Sequence, residues 1–183
     1  MSSKVIVEKS AFAESLSIVG RAVASSPHLA ILANILITSE GGQLRLAATN
    51  LTLGVSTWMD ARLDGQIALT LPAKTLTDIV NSLANSEVQF SVNGKPEATL
   101  KSGTFKGVVR GTEASEFPPH PEHDVSEGVT LPAPLLREMI QGTAFAAASD
   151  EARPVLEGVQ ISFDGNTLSM AATDGFRLAI KRA

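Results

Sequence analysis

The sequence predicts an α+β protein assembled by repeating one short unit: a strand, a helix, then antiparallel strands. Three observations carry this fold class. Shifting the chain by 124 positions aligns residues 7–50 with 131–174 without a gap, and 11 of the 44 pairs are identical. They include Glu14/Glu138, Leu32/Leu156, Ile37/Ile161, Gly41/Gly165, Leu44/Leu168 and the Ala-Ala-Thr triplets at 47–49 and 171–173. A shift of 60 lays "LPAKTLTDIV" from Leu71 onto "LPAPLLREMI" from Leu131, so the unit starts three times, near residues 7, 71 and 131. Within the repeats the apolar period changes from helical to two.

The first helix sets Phe12, Leu16, Val19 and Val23 on one stripe and turns Glu14, Ser17 and Arg21 outward, with Ser10 as its expected N-cap. The second buries Leu76, Ile79, Val80 and Leu83; the third, Leu136, Met139, Ile140 and Thr143. Both open on Pro-Ala, a sequence suited to a helix start. The segments "LRLAA", "VQFSV", "ATLKS", "FKGVV" and "LSMAA" alternate as half-buried strands do, and Gly41-Gly42, Asn93-Gly94 and Asp164-Gly165 signal hairpins. The wholly apolar run from Ile35 to Ile37 predicts a strand covered on both faces.

From 113 to 128 the text becomes "EASEFPPHPEHDVSEG", rich in Pro, acid and His and without period, and reads as a linker. The expected organisation is a complete first domain at 1–112, the linker at 113–128, and the first half of a second domain at 129–183. That second copy has no counterpart of residues 61–110.

Composition narrows the classes. With 44% hydrophobic and 19% charged residues among 183, the chain can bury a sizeable core. The absence of cysteine excludes disulfides and thiolate ligands or nucleophiles. The N-terminus lacks a signal-type apolar region, and the run "LAILANILI" is too short to span a bilayer, so the expectation is a soluble cytoplasmic protein. A net charge of −4 argues against binding nucleic acid by overall basicity, though not against cations gathered on one surface.

Chemical motifs are sparse. His120, Glu122, His123 and Asp124 lie between prolines rather than on a preorganising turn, and read as a solvated loop rather than a metal site. Asp150, Glu151, Asp164 and Asp174 are read as turn and cap residues rather than an acid–base pair, which leaves a metal-dependent hydrolase as a distant alternative. No phosphate loop or nucleophile elbow is present, so no catalytic residue, cofactor or metal is assigned. Arg21, Lys74 and Arg137 recur on the polar faces of the three helices and suggest a surface that meets a polyanion. In Thr173-Asp174-Gly175-Phe176-Arg177-Leu178, a large ring beside a guanidinium directly after a turn makes an anchor for a partner peptide.

The phrases "LAATNLTL", "LTLPAKTLTDIV", "EFPPHPE" and "LSMAATDGFRLAI" together resemble the bacterial DNA polymerase III beta subunit, the replicative sliding clamp, over essentially the whole chain. The resemblance implies the DNA-clamp fold: repeated strand–helix–strands units, helices on one face of the sheets, three domains per full-length chain, and two chains forming a ring. It further implies a non-enzymatic processivity factor that binds duplex DNA without sequence preference. Its partners would be the polymerase catalytic subunit and the clamp loader, docking through short peptides.

Carried over by position, the peptide pocket comprises Leu156, Thr173, Gly175, Phe176, Arg177 and Leu178, and the DNA-facing cations are Arg21, Lys74, Arg137 and Arg153. Ser26 departs from the Arg that the family commonly places before Pro, and Phe176 fills a variable position that is often aromatic or His. Because the remainder of the second domain and the third domain are not in these 183 residues, ring closure by this chain alone is not expected. The alternative is a clamp-derived interaction or regulatory protein that does not encircle DNA.

Overall fold

The computed structural model describes residues 3–25, 28–119, 128–149 and 153–183. The chain divides into two compact units, Met1–Pro121 and Glu122–Ala183. In unit 1 the order is β1 (Ser3–Glu8), α1 (Lys9–Val19), β2 (Asn34–Glu40), β3 (Gln43–Thr49), β4 (Gly54–Asp60), β5 (Arg62–Asp64), β6 (Ala68–Pro72), α2 (Ala73–Ser82), β7 (Glu87–Val92), β8 (Glu97–Ser102), β9 (Phe105–Arg110) and β10 (Thr112–Glu113). Unit 2 contains α3 (Ala133–Thr143), β11 (Gln160–Asp164), β12 (Thr167–Thr173) and β13 (Leu178–Arg182).

Two half-units close on each other in unit 1. One sheet runs β5-β1-β7-β8-β9 and the other β10-β6-β2-β3-β4, so each half gives its opening strand to the other half's sheet. The two exchanges share one register. Val5 and Val7 pair with Phe90 and Val88, just as Leu69 and Leu71 pair with Ile37 and Ile35. Phe12 of α1 and Leu76 of α2 meet Ile37, Leu71, Phe90 and Leu100 in the centre of one core. The rings of Phe12 and Phe90 stack with centroids 5.8 Å apart. The glycine pair Gly41-Gly42, both at positive φ, supplies the tight β2–β3 hairpin that the sequence signals.

Unit 2 holds a single half-unit: a three-stranded sheet β11-β12-β13 under α3, with a small core of Met139, Leu168 and Met170 flanked by Leu131, Leu135 and Val159. The internal repeat makes the consequence measurable. Leu16 of α1 and Ile37 of β2 are 1% and 0% exposed, whereas their repeat partners Ile140 and Ile161 are 43% and 53% exposed. The stripe expected for α3 therefore shifts: Met139 and Thr143 are buried as expected, but Leu136 is only half-buried, Ile140 faces solvent, and Leu135 joins the core instead. No second helix packs on α3 among the described residues to cover the other side.

Other expectations are corrected by local chemistry. Helix α1 starts at Lys9, and its cap is Glu8, whose carboxylate accepts from the backbone N–H groups of Ser10 and Ala11; Ser10 is already inside the first turn. In β2, Ile35 and Ile37 are buried but Leu36, on the opposite face, is only half-buried. The β11–β12 turn residues are Gly165 and Asn166, one place later than the signal. The start of the expected 113–128 linker belongs to unit 1, since Glu113 pairs with Leu69 and Phe117 is buried. Residues 120–127 lie outside the described residues.

Phe12→Ala is expected to destabilise unit 1 by about 3–5 kcal/mol, as for other large-to-small changes in close-packed cores. Trp58, the chain's one tryptophan, reports that transition by fluorescence in urea. Leu136→Ala at the equivalent site of unit 2 is expected to leave the Trp58 transition unchanged within about 0.5 kcal/mol.

Candidate functional site

The stretch between β12 and β13 is a turn organised by two side chains. The Asp174 carboxylate accepts from the backbone N–H of Phe176 and of Arg177, both at 2.9 Å, and from Arg177 Nε at 2.9 Å. The Thr173 hydroxyl accepts from the Gly175 N–H at 3.0 Å and donates to the Arg177 carbonyl at 2.6 Å. The N–H groups of Gly175, Phe176 and Arg177 are thus occupied locally, as Asp and Thr commonly arrange. The two amide N–H groups, of Arg177 first and then Phe176, hold the Asp174 carboxyl below its ordinary value, with the Arg177 guanidinium adding to them.

The earlier repeat builds the same turn. The Asn50 side-chain oxygen accepts from the N–H of Thr52 and Leu53, and Thr49 accepts from Leu51 and donates to the Leu53 carbonyl. Leu51 even adopts φ +75°, against +90° for Gly175. What separates the copies is what surrounds the turn. Arg153 Nη2 donates to the Asp174 carbonyl at 2.9 Å, and a Cβ on Gly175 would lie 2.7 Å from Arg153 Nη1. Glycine keeps room for that guanidinium. Phe176 projects 95% exposed, with Leu178 also exposed; Arg177 lies beside them.

Leu156 joins this site through Arg153. It closes the 3-10 turn Pro154–Leu156, donating its N–H to the Arg153 carbonyl at 2.9 Å, while its own carbonyl accepts from Ala148 at 2.9 Å. The equivalent Leu32 carbonyl accepts from Ala24 at 3.1 Å. The structure therefore gathers Thr173, Gly175, Phe176, Arg177 and Leu178 in one turn and links Leu156 to it by way of Arg153. Arg153, expected among the DNA-facing cations, also contacts this turn through the Asp174 carbonyl. Val155 stands exposed beside it and carried no sequence signal beyond its apolar character.

The remaining cations do not share one helical register. Lys74 sits in the first turn of α2 and pairs with Asp78 at 3.3 Å. It lines a cleft of about 520 Å³ between α1 and α2, together with Ser17, Gly20 and Thr77. Arg21 follows Gly20 in the 3-10 turn after α1 and is exposed. Arg137 is exposed on α3, where the repeat aligns it with Ala13 and Thr77 rather than with Arg21 or Lys74. Among the described residues no group of three or more His, Asp or Glu side chains is gathered to hold a metal. His120, Glu122, His123, Asp124, Asp150, Glu151 and Ser26 lie outside the described residues. Among the described residues no helix is long and apolar enough to cross a membrane.

Half-units that exchange opening strands around two helices define the DNA-clamp fold. The chain belongs to the DNA polymerase III beta subunit family: the family's N-terminal domain matches residues 3–121 and its central domain matches residues 130–183. A beta sliding clamp of Synechococcus elongatus is 38% identical over 179 residues, covering 97% of this chain and 48% of that protein. One from Synechocystis is 36% identical over 190 residues, covering 98% and 48%. A solved sliding clamp of Bartonella birtlesii bound to griselimycin superposes with a TM-score of 0.92 at 29% identity, over all of this chain and 50% of that one. The chain spans about half the length of the curated relatives it matches.

The paired turns give a pH test with its own control. A carboxyl with a depressed folded pKa supports the turn above the ordinary Asp range and loses that support as pH falls through the depressed value. Asn50 has nothing to titrate. On acidification, the Phe176 and Arg177 amide resonances are expected to move together at a pH below the ordinary Asp range, while those of Thr52 and Leu53 stay fixed. Equal movement of both pairs would contradict the assignment.

Proposed function

We propose that the chain supplies the first domain and the beginning of the second domain of a ring-forming processivity factor that tethers DNA polymerase III and other partners to duplex DNA, without catalysing a reaction itself. Family membership across both units supports this reading. The observation that carries its docking half is the contrast between the turns: one backbone scaffold, with Phe176, Arg177 and Leu178 added where the first copy has Thr52, Leu53 and Gly54. A ring and a guanidinium held by a rigid turn lose little entropy on binding. Leu156, Arg153 and Val155 extend the same surface.

Arg21, Lys74 and Arg137 are assigned to the DNA side. Such contacts need only be weak, because a topological tether raises local concentration without gripping the duplex. The Lys74–Asp78 pair leaves Lys74 as a partly neutralised, mobile contact, suited to sliding. Residues 1–112 and 129–183 are assigned to the first and second clamp domains.

Titrating the chain with a clamp-binding peptide from a DNA polymerase III catalytic subunit tests the docking surface by amide NMR. Shifts are expected at Leu156, Thr173 and Gly175–Leu178. Phe176→Ala is expected to weaken binding roughly tenfold, as loss of an aromatic anchor does. Shifts confined to unit 1, or binding indifferent to Phe176, would refute the assignment.

A further inference from the structure

We propose that Asn93, in the loop between β7 and β8, is a site of spontaneous covalent modification: its side-chain amide closes on the Gly94 backbone nitrogen to a succinimide, which water opens to aspartate and isoaspartate. This lies wholly within unit 1 and does not depend on the docking reading.

Ring closure needs a backbone nitrogen unshielded by the next side chain, and freedom for both groups to turn toward each other. Asn93 is the chain's one asparagine followed by glycine, so no Cβ crowds the attacking nitrogen. The β7–β8 ladder ends at the Val92–Ala98 pair, which leaves residues 93–97 as a loop. Asn93, Gly94 and Lys95 are exposed there. Gly94 sits at φ +70°, and a Cβ on it would meet nothing within 4 Å. The loop's backbone hydrogen bonds lie further on, from Glu97 to the Lys95 carbonyl and from Gly111 to the Pro96 carbonyl, both at 2.7 Å. Among the described residues neither the Asn93 side chain nor the Gly94 N–H makes a hydrogen bond.

The other candidates are restrained. The Asn50 oxygen accepts from Thr52 and Leu53, and Asn34 is buried and donates to Thr70 and Thr112. Asn81 lies within α2, whose backbone N–H groups are committed to the helix. Asn85 packs so closely on Gly103 that a Cβ there would lie 1.8 Å from its Nδ2. Asn166 precedes Thr167, which is branched and paired with Asp164. Asp174-Gly175 could form the same ring, but Phe176 and Arg177 hold the carboxylate and the Gly175 N–H donates to Thr173 at 3.0 Å.

Closure forms the bond from the Gly94 nitrogen to Asn93 Cγ and breaks Cγ–Nδ2; the Gly94 amide proton leaves with that nitrogen as ammonia. Water attacking Cγ then gives aspartate, and water attacking the main-chain carbonyl carbon gives isoaspartate. Either product adds one negative charge to a chain of net −4. Isoaspartate also inserts a methylene into the backbone, outside the ladder.

Incubating the chain in mildly alkaline buffer made with heavy-oxygen water, then digesting it with trypsin in ordinary water, tests this. Trypsin does not cut before Pro96, so peptide 75–101 carries Asn81, Asn85 and Asn93 together. Conversion is expected at least about tenfold faster at Asn93 than at either neighbour, a barrier lower by about 1.4 kcal/mol. The products are expected to be aspartate and isoaspartate, each with one heavy oxygen. Asn93→Gln is expected to stay unconverted over the same period, because its longer side chain must close a larger ring. Asp174 is expected to take up no heavy oxygen in the folded chain, and to do so in urea, where its turn is lost. An Asn93 that converts no faster than Asn81 or Asn85 would overturn the proposal. So would conversion to aspartate alone, the mark of direct hydrolysis, or labelling of folded Asp174 as fast as Asn93.

Discussion

The reciprocal gift of an opening strand is the interaction on which this structure depends. In unit 1, β1 lies in the sheet of the second half and β6 in the sheet of the first, so neither half can complete a sheet alone. Both helices then share one core, because Phe12 and Leu76 sit over strands that come from both halves. Closure removes two strand edges and buries two apolar helix stripes in one step. Unit 2 isolates the cost of lacking it. Its helix, second strand and hairpin form as in unit 1, but Ile140, Ile161 and Phe163 stay exposed.

Much of this was legible in the residues. The repeats at 124 and 60 positions located three unit starts, and the stripes Phe12-Leu16-Val19 and Leu76-Val80-Leu83 named the core of unit 1. The stripe expected for α3 failed for a physical reason: period marks which face is apolar, not whether anything covers it. Leu136 and Ile140 carry the same pattern as Phe12 and Leu16, yet Leu136 is only half-buried and Ile140 is exposed. The cap of α1 was misread because Glu8 does the work usually sought in Ser, Thr, Asp or Asn. The contact of Arg153 was not legible because it reaches across 21 residues to the Asp174 carbonyl, which spacing does not reveal.

The two Ala-Ala-Thr turns share a scaffold and differ in the side chains they display. Asn50 and Asp174 bind equivalent amides, Thr49 and Thr173 close equivalent loops, and the residues after Asn50 and Asp174 share a positive φ. A backbone this constrained can change its displayed side chains without changing its path. The first copy presents Leu51 and Thr52; the second leaves Gly175 bare, seats Arg153 against it and raises Phe176 into solvent. The docking surface proposed here thus sits on a turn that both copies build, as loops on rigid elements often carry function.

Amide hydrogen exchange, at a dilution where the chain is monomeric, tests the dependence on strand exchange most directly. Alternate amides of an antiparallel strand point to opposite edges. All of β2 is expected to be protected by its two neighbours, while alternate amides of β11 exchange rapidly and those facing β12 do not. Uniform protection along β11 in the monomer, equal to that of β2, would contradict the claim that closure requires a second half-unit.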